Sequence, residues 1–438
     1  MFYYILLIIF LLFSSIFTYK KFKDFFSPSF LMSFAYLISS IFALLTRIFS
    51  FWNDINLTFK TFLIIFLGIG ATIIGELFAR KMVKIKEKKL IKKEEKHIRF
   101  SIIINILMTI FIIFSFIAIY HKMASVTGIY DDISKMINVY HNGSILYNKD
   151  GVIYTIGTFL TQFYRLCIVL GYILIYVVSY NYCKKDKIKN NILYLLLITI
   201  ISFLSLIYAG RTQIITYIMS FIFDIFMIKG IHKFKNISKK NYIQLSIIFL
   251  AIMFAFFMSL PLLGRNSKFN AVEYISFYVG NPIPSLEKAI DTNLFKESKY
   301  FGENTFKGPQ RILYKFGLIE TYDGYQHNWL HFDNGYHNNV FTGLSSYYID
   351  FGYIGIFILS FISGICVSLF YLLVNKYKNY FTIPLYSIYF FGIINQFRAE
   401  FLFSNLITLD TFLNILYLAT VVFVLFCPRL YFISRRKV

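Results

Sequence analysis

The feature that most constrains this chain is a succession of apolar runs set apart by short polar connections. An α-helix needs ~20 consecutive apolar residues to cross the ~30 Å hydrocarbon core of a bilayer. Runs of that order lie near 2–18, 28–50, 59–79, 101–120, 153–182, 191–209, 212–228, 242–263, 341–374, 381–398 and 405–427. They predict an all-α polytopic integral membrane protein of about eleven transmembrane helices, because a helix satisfies all its backbone hydrogen bonds internally. The balance of 58% hydrophobic and 15% charged residues agrees, since a soluble domain carries nearer ~25% charge. Residues 2–18 lack a basic leader and a small-residue cleavage site, so they read as the first span rather than as a cleaved signal.

Lys and Arg then orient the spans, because basic connections stay cytoplasmic. Clusters fall at Lys20, Lys21 and Lys23, at Arg80 to Arg99, Lys184 to Lys189, Lys229 to Lys240, Lys376 and Lys378, and Arg429 to Lys437. These occupy every second connection and hold most of the 44 basic residues. The expected topology has the N-terminus outside and the C-terminus in the cytoplasm. The formal net charge of +22 is thus a topology signal and a contact with anionic headgroups, not a nucleic-acid footprint. The Arg80–Arg99 segment reads as an amphipathic surface helix or a solvated connector. Cys167, Cys183, Cys366 and Cys427 sit in or at the ends of apolar runs, with no spacing that suggests a disulfide framework or a metal site. No phosphate loop or nucleotide fingerprint is present, so neither ATP-driven transport nor a cofactor is expected.

One long polar stretch, Gly264 to Asp350, interrupts this pattern. It divides the chain into N-terminal helices (1–263), a large external loop (264–340) and C-terminal helices with a cytoplasmic tail (341–438). The prolines of Asn281-Pro-Ile-Pro284 and Gly308-Pro309 split the loop into short segments. Its tyrosines and Trp329 suit either sugar stacking or an interfacial belt.

Arginine use points to chemistry on the external side. Arg47, Arg165, Arg211, Arg265 and Arg398 fall at or near outer span ends, and Arg311 lies in the loop. Arginine within a span is costly and usually has a partner or a function. Its planar fork grips phosphate in two places at once. Arg211 follows Ala209-Gly210 at a very short turn. Arg165 sits in a span after Gln162. Arg398 belongs to Asn395-Gln-Phe-Arg-Ala-Glu400, where it could bind phosphate or simply pair with Glu400. Arg211, Arg165, Arg265 and Arg398 are the candidate pyrophosphate ligands. Asp350 and His337 are the candidate bases for activating a sugar hydroxyl, with Glu273 and Glu303 behind them.

The chain resembles the Wzy-type oligosaccharide repeat-unit polymerases of O-antigen and capsule synthesis. The resemblance rests on Ala209-Gly-Arg-Thr212, on Phe301-Gly-Glu-Asn-Thr-Phe306, and on Asn339-Val-Phe-Thr-Gly-Leu344 leading to Tyr348-Ile-Asp-Phe-Gly-Tyr-Ile-Gly355. A many-span layout with one large external loop completes it. The resemblance implies a metal-independent, GT-C-like glycosyltransferase. It would move a glycan from undecaprenyl pyrophosphate onto a new lipid-linked repeat unit, with inversion, at the outer face of the membrane. It also implies membrane lipids and lipid-linked oligosaccharides as partners, with a flippase and a chain-length regulator in the same pathway. An O-antigen ligase and a lipid-linked oligosaccharide flippase are the alternatives. A transporter should carry charges near the midplane, whereas these cluster towards the outer side, with Glu76 and Asp224 near inner ends. A purely structural scaffold would not need buried arginines.

Overall fold

The computed structural model describes residues 1–83, 97–145, 154–208, 210–230, 271–295, 298–320, 329–332, 336–406 and 408–426. Among them nine helices are long and apolar enough to cross a membrane, and the protein is a multi-pass, all-α membrane protein. In chain order the first helices are α1 (Phe2–Phe22), α2 (Pro28–Ile48), α3 (Phe59–Met82) and α4 (Ile102–Thr127). Then come the short α5 (Ile133–Ile145), α6 (Thr158–Cys183), α7 (Ile192–Tyr208) and α8 (Thr212–Lys229). The polar stretch contributes α9 (Ala271–Gly280), α10 (Pro282–Asp291), α11 (Lys307–Lys315) and a two-residue ladder of β1 (Leu330–His331) with β2 (His337–Asn338). The chain continues with α12 (Leu344–Tyr377), α13 (Thr382–Ile394), the four-residue α14 (Phe403–Leu406) and α15 (Leu409–Phe426).

Nine of the eleven expected runs appear as span-length helices among the described residues. The run 242–263 lies outside the described residues, as do residues 84–96 of the Arg80–Arg99 segment. The run 381–398 forms the 13-residue α13, roughly 20 Å at ~1.5 Å per residue, which leads from the basic end, where Tyr380 stacks on Phe426, to Arg398 at the other. Its C-terminal end is broken by polar residues. Asn395 ends the helix in a 3-10 turn whose carbonyl accepts from Arg398 and Ala399, at 2.8 and 3.2 Å.

Packing fixes the relative direction of the spans. Tyr3 meets Phe59 and Phe62, while Arg80 lies over Phe22, so α1 and α3 run parallel. Gly68 abuts Leu344 and Gly75 abuts the backbone of Phe361 and Gly364, so α12 runs parallel to α3. At this last contact a Cβ on Gly364 would lie 2.6 Å from the Thr72 carbonyl. Small residues thus let two backbones touch, as transmembrane pairs require. The pairs Tyr172–Tyr217, Gln162–Tyr417 and Phe100–Phe426 set α6, α8 and α15 in the same way. The basic C-terminal ends of α1, α3, α6, α8 and α12 therefore gather at one end of the bundle. There Arg99 reaches Asp186 at 3.4 Å, and Asn181 bridges to Ile98.

At that basic end buried carboxylates tie helices together. Glu76, fully buried, accepts from Ser27, from the backbone and hydroxyl of Ser29, and from Arg80 at 2.8 Å. It satisfies the free Ser29 N–H at the start of α2, which begins at Pro28. Asp24 accepts from Tyr371 at 2.7 Å and from Phe26 N at 3.0 Å. At the opposite end, fully buried Glu287 accepts from the amide and hydroxyl of Thr58, both at 2.7 Å, and so caps α3.

The described parts of the polar stretch are not a loose loop. Helix α9 lies against α2, where a Cβ on Gly280 would come 2.9 Å from Ala43 N, and Ser39 donates to the Val279 carbonyl at 2.8 Å. Trp52 donates to Ser276 at 3.2 Å and packs edge-on against Phe277 and Phe332. Asn281-Pro282 then turns the chain from α9 into α10, as the prolines predict.

Candidate functional site

The site is built from three chain segments that meet at the end of the bundle opposite the basic clusters. The first is the turn between α7 and α8. Gly210 has φ +88°, a left-handed backbone that glycine adopts without a Cβ penalty. That turn leaves Arg211 at the N-cap of α8. The second is α9, on which Tyr274 and Tyr278 stand four residues apart and therefore on one face, ring centroids 4.9 Å apart. The third is the 3-10 turn after α13, which ends at Arg398.

Arg211 donates to the Tyr278 hydroxyl at 2.9 Å and to the Tyr274 hydroxyl at 3.4 Å. Its guanidinium carbon lies 5.3 Å from the centre of the Tyr278 ring. The guanidinium carbon of Arg398 lies 5.7 Å from the same centre. Two cations far apart in sequence thus share one aromatic ring. Both distances are within the ~6 Å at which a ring quadrupole attracts a cation. Arg398 has no ion pair among the described residues, and its Nε is buried without a hydrogen-bond partner. Burial, together with the like charge of Arg211, lowers its pKa, while Tyr278 opposes the shift. Burial and the neighbouring Tyr278 raise the Tyr274 hydroxyl, against the pull of Arg211. Two phenol groups and two guanidinium forks therefore stand together, and a polyanion is the chemical complement of that set.

The turn carrying Arg398 is held rigidly. The Gln396 carbonyl accepts from Gly343 N at 2.8 Å and from Tyr36 at 3.0 Å, and its side chain donates to Tyr347 at 3.1 Å. Arg398 does not pair with Glu400. That carboxylate instead accepts from Tyr347 and from the amides of Leu402, Phe403 and Ser404, and so caps α14.

The other candidates fall elsewhere. Arg165 is ion-paired with Asp410 of α15 and donates to Gln162 at 3.3 Å, so its charge is met within the span region and it does not touch the arginine pair. Arg265 lies outside the described residues. Arg47 reaches only Asn56, at 3.4 Å, and Arg311 is exposed. Glu303 accepts from Lys299 N at 2.8 Å.

Asp350 sits two residues before Gly352, where α12 is broken by a backbone at φ +63°, ψ −156°. Both of its oxygens are committed. They accept from Ser298 at 2.5 Å, from the amide of Asn304 at 3.1 and 3.2 Å, from the Asn304 side chain at 3.0 Å, and from Thr305 N at 2.7 Å. The Phe301–Phe306 motif is thereby clamped to the kink of α12, with the Phe301 ring also tilted against Phe351 at 4.9 Å between centroids. Lys307 follows this motif. Burial lowers its pKa, opposed by Glu400 first and then Asp350.

His337 faces His331 across the β1–β2 ladder, Nδ1 to Nδ1 at 2.6 Å. One ring of such a pair donates and the other accepts, so the two share one proton at that contact. The ladder packs on α9 from the side of Phe277, where Tyr336 and Phe332 lie 4.7 and 5.9 Å away. Tyr336 also donates to Glu273 at 3.3 Å. Helix α9 is therefore the common support of the arginine pair and the histidine pair.

Sequence reasoning singled out Arg211 and Arg398 but missed their shared ring. The four-residue spacing of Tyr274 and Tyr278 was the available signal, and it becomes useful only once that segment is known to be helical. No protein-family model, no curated protein and no solved structure matches this chain.

Proposed function

We propose that this protein is an oligosaccharide repeat-unit polymerase acting on undecaprenyl-pyrophosphate-linked glycans at the outer face of a bacterial cytoplasmic membrane. The observation that carries the reading is the convergence of Arg211 and Arg398 on Tyr278, at the end of the bundle away from the basic clusters. On this reading the basic end is cytoplasmic, which puts the N-terminus and the arginine site outside.

In the proposed reaction an acceptor sugar hydroxyl attacks the anomeric carbon of the donor glycan. The new glycosidic C–O bond forms as the bond to pyrophosphate breaks, with inversion, and the pyrophosphate leaves with the electron pair. Arg211 and Arg398 stabilise the growing charge on that leaving group, a role in which fixed donors lower the barrier. Tyr274 and Tyr278 hold the Arg211 fork in place. The hydroxyl proton goes to a base. Of the two candidates, His337 with His331 is better suited, because every oxygen of Asp350 already accepts from the Ser298–Thr305 segment. Asp350 then serves to position that segment beside α12. No metal or cofactor enters the scheme.

A flippase draws less support, because two of the buried acids near the basic end are committed to protein donors, Glu76 to Ser27, Ser29 and Arg80, and Asp24 to Tyr371, while Asp224 there is bound by Ser387 alone. The deciding experiment is polymerisation by the purified protein with defined lipid-linked repeat units. A ladder of glycan lengths from wild type, reduced to single repeats by Arg211→Ala at equal protein level, is the expected result. Transfer only to a non-repeat acceptor would establish a ligase. In a strain lacking the gene, lipid-linked units should collect on the outside, and their retention on the cytoplasmic side would establish a flippase.

A further inference from the structure

A second site lies at the basic end, on the flank of α1 and α3. An open cleft of about 540 Å³ is lined by Phe17, Phe22 and Leu77 and by Lys21, Arg80 and Lys81. The two faces of the cleft differ in chemistry, three apolar side chains against three cations. Phe13 stacks on Phe17 with centroids 6.4 Å apart and continues the apolar surface along α1; both rings are exposed. Among the described residues Glu76, fully buried behind Arg80, is the acid ion-paired with these cations, and Asp24 also acts on Arg80. Arg80 donates to that carboxylate through Nε at 2.8 Å, its Nη2 lies 2.7 Å away without hydrogen-bond geometry, and its guanidinium carbon lies 4.3 Å from the centre of the Phe22 ring. Its Nη1 makes no hydrogen bond among the described residues. A fixed guanidinium edge, two exposed lysines and an apolar wall run in sequence from the span end into the membrane region.

We infer that this cleft binds the phosphate headgroup of an anionic phospholipid, with the acyl chains lying along Phe17 and Phe13. Charge and shape select this occupant. Phosphate is the anion that a guanidinium edge grips, and clustered cations beside an apolar surface at a span end suit a lipid rather than a soluble anion. The inference is independent of the polymerase reading, because the site stands at the other end of the bundle.

The test uses the full-length protein in neutral detergent and a fluorescent phosphatidylglycerol as probe, with phosphatidylcholine as the zwitterionic comparison. Lys21→Gln with Lys81→Gln removes two exposed cations and leaves the Arg80–Glu76 contact intact. At ~1 kcal/mol per basic residue near anionic headgroups, the double variant should bind about thirty-fold more weakly. Lys122→Gln with Lys135→Gln, the same charge change on exposed residues elsewhere in the chain, should bind as wild type does. Equal loss in both double variants would show a non-specific charge effect and overturn the site. So would equal affinity for phosphatidylcholine, or displacement of the probe by an equal concentration of inorganic phosphate, which would identify a soluble anion as the ligand. Retained thermal stability of the Lys21/Lys81 variant separates lost binding from lost folding.

Discussion

Replacing Arg398 by Gln separates a functional cation from a structural one. Within the protein this guanidinium gains little. It has no carboxylate partner among the described residues, its Nε is buried without an acceptor, and the like charge of Arg211 shares its aromatic ring. Its one favourable contact, the face of Tyr278, is worth ~0.5–2 kcal/mol. Burial of a cation beside a like charge opposes that contribution. The two nearly cancel, so Arg398→Gln should change thermal stability by no more than ~1 kcal/mol, about 1 °C in Tm for a chain of 438 residues. Activity should respond differently. Loss of one preorganised donor to a developing anion costs ~3–4 kcal/mol, or about 10²–10³ in rate. The assay pairs a thermal unfolding scan with single-turnover transfer between lipid-linked units. A variant that fails to accumulate, or melts more than ~5 °C lower, would make Arg398 structural. A variant with wild-type transfer would remove it from the reaction. Arg165→Gln is the internal contrast. Its charge is met by Asp410, which is half exposed, so loss of that pair should cost at most ~1 kcal/mol and leave transfer within a few-fold of wild type.

Further outcomes follow from the same contacts. Gly352→Ala places a Cβ at φ +63°, ψ −156°, where no neighbour lies within 4 Å and backbone strain alone acts. A cost of ~1–3 kcal/mol is expected in thermal unfolding, and an unchanged midpoint would show that the kink relaxes freely. Asp350→Ala leaves the Asn304 and Thr305 amides without their acceptor, so the 298–305 segment should become cleavable by added protease at a ~2–3 kcal/mol loss of local stability; unaltered protease resistance would contradict the clamp. Burial raises Asp24 to about 6 from an ordinary 3.8, against the donors Tyr371 and Phe26. The folded state therefore binds the proton more tightly than the unfolded state, and this group's contribution, full below about 4, is lost as pH rises to about 6. That is ~3 kcal/mol at ~1.36 kcal/mol per pH unit, and Asp24→Asn should flatten the stability profile over that interval.

Much of the architecture is written in period and charge. Apolar runs of span length became α1 to α4, α6 to α8, α12 and α15, because the bilayer dictates length and backbone satisfaction whatever the tertiary contacts are. The helix in the run 381–398 ends before the run does: hydropathy averages over Asn395, Gln396 and Arg398. Local hydrogen bonding does not average, and it ends the helix at Ile394. Within the site, Arg211 was legible because Gly210 leaves it no loop through which to reach water. The Arg398–Glu400 pair was the obvious local reading, yet Glu400 is drawn to three backbone amides of the next turn. Tertiary choices between equivalent partners of that kind have no signature in spacing. Asp410 as the partner of Arg165 is another, since α6 and α15 lie 245 positions apart at that contact.

The distribution of satisfied charge gives the functional reading its physical basis. Four carboxylates in this bundle are structural fasteners, whereas buried Asp224 accepts from Ser387 through one oxygen and its other oxygen has no hydrogen bond among the described residues. Glu76 gathers the start of α2, Glu287 caps α3, Glu400 caps α14, and Asp350 clamps the motif before α11. Each accepts several donors, which is how a charge becomes tolerable away from water. Arg398 differs from these four, since it has no ion pair among the described residues and its Nε is buried without an acceptor. Folding alone would favour a neutral residue at 398, because a paired or apolar side chain costs less there than an isolated cation. Such a cation, held on a rigid turn without a counter-ion among the described residues, suits an anion that arrives from outside the chain. On the proposed reading that anion is a lipid-linked pyrophosphate, whose two adjacent phosphates would match two adjacent forks.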